Sequence, residues 1–338
     1  MTLNSQPIAG PASWQSQLRD VVTSGEELLD LLGLEPGQAG LSEAAARGFA
    51  LKVPRAFIRR MRRGDPDDPL LRQVLASKRE LLEMPGFSND PVGETGAVNA
   101  RPGLLRKYRG RALLLVSGGC AVNCRYCFRR HFPYADNRVN RLQWRDTLAE
   151  VAGDTTISEV ILSGGDPLMP GDRQLDDLVS TIAAIPHVRR LRVHTRLPVV
   201  IPARVTDELI TALSRPNLDT VFVIHANHAN EIDAETAEAT GRLRSAGFTV
   251  LNQSVLLRGV NDSVKALVDL SEALFAAGVL PYYLHLLDRV AGAAHFDVAE
   301  VEAVALWKAT SAQLPGYLVP KLVREIAGEP GKSAVPVS

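Results

Sequence analysis

All three cysteines of this chain fall inside one octapeptide, Cys120-Ala-Val-Asn-Cys124-Arg-Tyr-Cys127. Scattered cysteines would read as small buried hydrophobes. Three thiols spaced x3 then x2 behind Gly118-Gly119 can instead converge on one iron–sulfur cluster, holding three of its four irons and leaving the last open to a small chelating molecule. The alternative is a zinc knuckle, which wants a fourth ligand such as His131.

The elements around this loop follow a regular alternation. Short apolar runs at Ala112–Val116, Val160–Leu162, Leu191–Val193, Val221–Ile224, Val250–Leu251 and Tyr282–Leu287 are separated by helix-like segments at Leu175–Ala184, Thr206–Leu213, Glu235–Ala246, Val264–Ala277 and Val298–Gln313. That alternation predicts βαβ units and a parallel sheet, either open or curled into a partial barrel. Polar residues cluster just after each run: Ser117 to Cys120, Ser163-Gly164-Gly165-Asp166, His194 to Arg196, His225 to His228, Asn252 to Ser254, and Asp288. If the sheet curls, all six converge on one rim, where barrel enzymes build their sites.

Ahead of the alternation, residues 1–14 read as a polar tail, and Trp14 to Arg79 as helical. Ser24 before Glu26, Glu27 and Leu28, and Ser42 before Glu43, are helix-start signals. Asp65-Pro-Asp-Asp-Pro69, Pro85-Gly86, Asp90-Pro91 and Pro102-Gly103 mark breaks and a long turn-rich connection. The expected division is 1–100 for the helical region and connection, 101–315 for the barrel, and 316–338 for a tail. With 38 basic and 38 acidic residues the formal net charge is zero, which argues against a protein that tracks nucleic acid. No apolar run reaches the ~18 residues of a membrane span, and neither an export signal nor an even cysteine count suggests a disulfide framework. A cytoplasmic protein is expected.

The x3-x2 cysteine spacing, with Tyr126 before the last thiol, resembles the signature of the radical S-adenosylmethionine enzymes. The resemblance implies a partial (β/α)6 TIM-like barrel and a [4Fe–4S] cluster whose open iron binds S-adenosylmethionine and cleaves it to a 5′-deoxyadenosyl radical. Ser163, Gly164, Gly165 and Asp166 are similar to the family's glycine-rich loop, and His225 matches a histidine beside adenosylmethionine. Longer stretches from about Pro102 to Lys332 resemble the lysine 2,3-aminomutases. These include Cys127-Phe-Arg-Arg130, Arg196-Leu-Pro-Val-Val-Ile-Pro-Ala-Arg204, Asn252-Gln-Ser-Val-Leu-Leu-Arg-Gly-Val-Asn-Asp262 and Gly292-Ala-Ala-His-Phe296. Arg72-Gln-Val-Leu75 and Gly316-Tyr-Leu-Val-Pro-Lys-Leu322 are similar to the short bacterial branch that supplies (R)-β-lysine for modifying translation elongation factor P.

Such enzymes move an amine from C2 to C3 and need pyridoxal 5′-phosphate as well as the cluster, because a free amine does not readily migrate to a carbon radical. The resemblance assigns Lys332 to carry the pyridoxal; by its setting alone Lys332 reads as a solvated tail lysine. Lys107, Arg111, Arg204 and Gln253 match phosphate positions, with Tyr108 near the ring. Lys107 replaces the arginine of longer relatives, so a fork becomes a point charge. Without the family, Arg106-Lys107-Tyr108-Arg109 reads as a basic turn.

Arg129 matches the residue that binds the amino-acid carboxylate, and Asp288 and Glu325 match carboxylates around the far ammonium. Apart from the family, Glu325 reads as half of an ion pair with Arg324 or Lys321. One charge pair at ~4 Å and effective dielectric ~20 is worth about 4 kcal/mol, roughly a thousandfold preference for a cationic tail. The expected reaction is therefore L-lysine to β-lysine. The implied partners are an external one-electron donor and a functional link to elongation factor P and its ligase, and a homo-oligomer stays open. Another cationic amino acid as substrate, or a zinc-bound interaction module, are the competing readings.

Overall fold

The computed structural model describes residues 13–96, 98–99, 101–137, 141–329 and 331–337. The polar stretch expected at 1–14 lies outside the described residues except for Ser13 and Trp14, where a short helix starts.

Nine strands form one sheet in sequence order. They are β1 (Leu104–Leu105), β2 (Arg111–Ser117), β3 (Glu159–Gly164), β4 (Arg190–Thr195), β5 (Asp219–Ile224), β6 (Thr249–Val255), β7 (Leu280–His285), β8 (Lys321–Arg324) and β9 (Ser333–Ala334). From β2 to β8 each strand pairs parallel with the next, while β1 and β9 pair antiparallel at the two edges. The six expected strands are all present. A seventh parallel strand, β8, lies inside the stretch expected to be a tail. Only Leu322 and Val323 of β8 are buried apolar residues, too few to give a period.

The crossovers are α1 (Arg141–Gly153), α2 (Asp172–Ala183), α3 (Asp207–Leu213), α4 (Ala234–Ser245), α5 (Val264–Ala276) and α6 (Glu300–Ser311). The α1 helix was not among the expected segments. Trp144, Leu148 and Val151 give it an apolar face, of which Leu148 and Val151 are buried, but charged neighbours dilute the pattern.

Among its described residues the N-terminal region holds six short α-helices between Trp14 and Arg72. The Ser24 side chain accepts from the Glu27 amide and Ser42 from the Ala45 amide, capping two of its helices. A two-stranded pair, Val21–Val22 with Val53–Pro54, adds to it. One hydrophobic cluster runs from Trp14, Leu28, Phe57 and Leu71 into Leu162, Val193 and Ile224, so this region shares the barrel's core. Among the described residues no helix is long and apolar enough to cross a membrane.

Candidate active site

The C-terminal ends of β2 to β8 surround a cavity of about 360 Å³, within the range of small-molecule sites. Cys120, Cys124 and Cys127 line it, and none forms a disulfide. Burial pushes the Cys127 thiol up to about 11, with the charge of Cys124 adding to the effect. Cys120 is raised by burial, then by Cys127 and Asp166. A cationic cluster would relieve this crowding of anions, and an all-sulfur donor set suits iron–sulfur chemistry. Among the described residues no group of three or more histidine, cysteine or carboxylate side chains, these cysteines included, is placed to hold a single metal ion. His131, the candidate for a zinc knuckle, instead places Nε2 3.1 Å from the Ala291 carbonyl.

The glycine loop after β3 packs backbone on backbone against the cysteine loop. The Gly165 amide donates to Ser117 O (2.6 Å) and the Asp166 amide to Gly119 O (2.8 Å). Gly164 has φ +123°, and a Cβ there would sit 2.4 Å from Ser117 O; one on Gly165 would sit 2.3 Å from Gly119 O. Glycine is required for this contact between loops before any ligand is considered. Asp166 lines the cavity as well. Its carboxylate accepts from Thr195 Oγ1 (2.7 Å) and from the amides of Leu168, Arg196 and Leu197 (3.0, 2.7 and 3.1 Å), fixing the loops after β3 and β4.

At the opposite wall the short β9 returns antiparallel along β8, pairing Arg324 with Ser333. This places Lys332 beside Glu325, with Nζ 3.0 Å from Oε2. Lys332 is thus an ion-paired residue of the cavity rather than a solvated tail lysine. Glu325 also accepts from Tyr108 Oη (2.6 Å) and pairs with Lys107 (3.0 Å), not with Arg324 or Lys321. Burial opposes its ionisation, but Lys332, Lys107 and Tyr108 outweigh burial and bring it down to about 2. For Asp288 the balance is reversed: burial, with the charge of Glu325 adding to it, outweighs Lys332 and Lys107 and pushes its carboxyl up to about 7.

Arg129 is in the cavity, but its guanidinium is already engaged. Nε and Nη2 grip Glu94 at 2.6 and 2.9 Å, and Nη1 donates to Ser163 Oγ (2.9 Å) and Gly164 O (3.0 Å). These contacts take four of its five N–H donors. Glu94, which also pairs with Lys107 at 3.3 Å, comes from the turn-rich connection and carries no sequence signal. Its turn is set by Asp90, whose carboxylate accepts from the amides of Glu94 (2.8 Å) and Thr95 (2.9 Å).

Arg111 lies over the Tyr108 ring at 5.2 Å. Gln253 Nε2 lies 2.9 Å from His225 Nε2, and burial lowers the His225 pKa to about 3, with Arg196 and Lys332 adding to the shift. Arg204 is a correction: it does not line the cavity. Its guanidinium donates to Leu168 O (2.8 Å), Asp172 Oδ1 (2.7 Å) and Pro170 O (3.1 Å) and stacks on Trp14, leaving it no reach toward a phosphate in the cavity. Arg192, on the inner face of β4, does line the cavity and pairs with Glu159. Only the alternation of β4 could have suggested it.

Near Lys332, His194 and His285 each leave a buried Nε2 without a partner. Unpartnered buried nitrogens, together with Lys107, Arg111, Arg192 and Lys332, fit an anionic, hydrogen-bonding cofactor.

Comparison with known proteins gives a consistent picture. Residues 114–271 match the Radical SAM superfamily. The chain is 55% identical over 321 residues to an L-lysine 2,3-aminomutase of Escherichia coli (strain K12), covering 95% of this chain and 93% of the relative. It is 50% identical to that of Haemophilus influenzae, covering 95% of each. A longer relative from Clostridium subterminale is 31% identical, over 95% of this chain and 77% of its own length.

Proposed function

The chain belongs to the lysine 2,3-aminomutase family of the radical SAM superfamily, and from that premise we propose that it converts L-α-lysine to (R)-β-lysine in the cytoplasm, with elongation factor P as the destination. The carrying observation is that near-full-length identity to L-lysine 2,3-aminomutases coincides with one cavity that gathers three cysteines, Lys332 and two carboxylates. Its cofactors are a [4Fe–4S] cluster, S-adenosylmethionine and pyridoxal phosphate. Bound together, they supply hydrogen abstraction at carbon and a π-system that lets nitrogen migrate to a carbon radical.

In this reading Cys120, Cys124 and Cys127 hold the cluster. The backbone of Ser163 to Gly165 and the His225 ring border adenosylmethionine. Lys332 carries pyridoxal, with Lys107, Arg111 and Gln253 near its phosphate and Tyr108 near its ring. Asp288 and Glu325 receive the substrate's ε-ammonium, Glu325 in the place where it pairs with Lys332 in the unloaded chain. Arg129 meets the substrate carboxylate through its remaining N–H, held in place by Glu94. An external donor supplies one electron to the cluster.

The test uses anaerobically reconstituted, reduced protein with adenosylmethionine, pyridoxal phosphate and L-lysine, followed by mass spectrometry. β-Lysine that disappears when any one cofactor is omitted is expected. Deoxyadenosine without β-lysine would retire lysine as the substrate, and neither product from fully loaded protein would overturn the reading. Lys332→Ala should keep its iron and lose the pyridoxal absorbance; a normal absorbance would remove Lys332 from its role.

A further inference from the structure

Cys124 differs from the other two thiols in one respect: a full positive charge is fixed against its sulfur. Arg196, at the end of β4, donates from Nη1 to Cys124 Sγ at 2.6 Å and to Tyr126 Oη at 2.6 Å. Its Nη2 donates to Glu231 Oε2 (2.9 Å) and to Gln73 Oε1 (2.8 Å), a residue of the N-terminal region. Its backbone amide is held by Asp166 (2.7 Å), and its guanidinium faces the Phe57 ring at 5.4 Å. Glu231 is in turn immobilised. Its Oε1 accepts from Gln73 Nε2 (3.0 Å) and the amides of Asn227 (2.9 Å) and His228 (3.2 Å). Arg196 and Glu231 are both buried, so the guanidinium cannot swing away or be screened by solvent.

Resting on the reading that the cysteines hold a [4Fe–4S] cluster, we propose that Arg196, clamped by Glu231 and Gln73, is a positioning residue that sets the cluster's reduction potential through Cys124. In the step concerned, the cluster gains one electron from a low-potential one-electron donor, which is oxidised by one electron; no bond breaks and no proton moves. The added charge spreads onto the ligand sulfurs, and hydrogen bonds to those sulfurs are a principal determinant of such potentials. A buried, charge-assisted donor at Cys124 stabilises the reduced form more than the oxidised form and raises the potential. Glu231 opposes it. The two charges must therefore act with opposite sign, which a purely structural role would not produce.

The test is a redox titration followed by electron paramagnetic resonance, using reconstituted full-length chains matched for iron and sulfide and reduced with dithionite or a lower-potential mediator. Arg196→Gln should disfavour reduction about tenfold, a shift of ~59 mV to more negative potential for one electron. Arg196→Lys should recover part of that shift, and Glu231→Gln should move the potential the other way. If Arg196→Gln loads no iron, Glu231→Gln decides alone. An unchanged potential, or shifts of the same sign in Arg196→Gln and Glu231→Gln, would overturn the proposal. A wild-type chain that takes up no iron and sulfide would overturn the functional reading beneath it.

Discussion

Asp288 and Glu325 are carboxylates beside the same lysine, and their surroundings drive them to opposite states. Glu325, braced by two ammonium groups and a phenol, stays ionised down to about pH 2, whereas burial leaves Asp288 half-protonated near pH 7. A protonated Asp288 cannot pair with an ammonium group. Because its pKa is raised, the pairing form is gained as pH rises through about 7 and lost as pH falls below it. The KM for L-lysine should therefore rise by up to about tenfold per pH unit below 7, and Asp288→Asn should flatten that arm in steady-state profiles. A pH-independent KM in the wild type would remove Asp288 from the ammonium site. The cysteine spacing was legible at this scale because three thiols in eight residues are rare and local. Glu94 and Arg196 were not, because their roles come from partners far away in sequence: Glu94 grips Arg129 and Lys107, and Arg196 meets Cys124 and Gln73.

Among the elements, the strands were the most legible part. Runs such as Val160–Leu162 and Val221–Ile224 are buried on both faces or nearly so, and their polar ends mark the rim. What escaped were elements whose burial is supplied by neighbours: β8 with two apolar residues, and β9, whose place depends on β8. The loops after β2 and β3 were seen as glycine-rich, but not as packed on each other. Gly165→Ala forces a methyl group into Gly119, so it should cost about 1–3 kcal/mol and loosen the cysteine loop. Chemical denaturation and iron content per chain measure the two effects. Wild-type values for both would mean that the loops can part without consequence.

For the whole molecule, composition excluded classes of function, but it did not reveal what the first hundred residues do. They grip the cysteine loop from behind. Lys52 Nζ donates to the Cys120 carbonyl (2.8 Å), the Asn123 amide donates to Lys52 O (2.9 Å), and the Arg125 amide donates to Gln73 O (2.8 Å). The fully buried Arg125 guanidinium is held by Glu80 at 2.9 and 2.5 Å, and Arg130 shares that carboxylate at 2.8 Å. Removing one member of a buried pair leaves the other charge stranded, so Glu80→Ala should destabilise the fold by about 3–5 kcal/mol. Urea unfolding checks the magnitude. A loss under 1 kcal/mol would show that the N-terminal region is not bolted to the barrel.

Lys332 reaches the cavity on the return strand β9, and it follows Cys127 by some 200 residues of chain. During synthesis at about 5–20 residues per second, the ribosome therefore delivers the cysteine loop roughly 10–40 s before the lysine that completes the opposite wall. A chain paused in that interval has its three thiols in hand and lacks the lysine proposed to carry pyridoxal. The cysteine half of the site is thus the older half of every newborn molecule, waiting on a late-arriving partner.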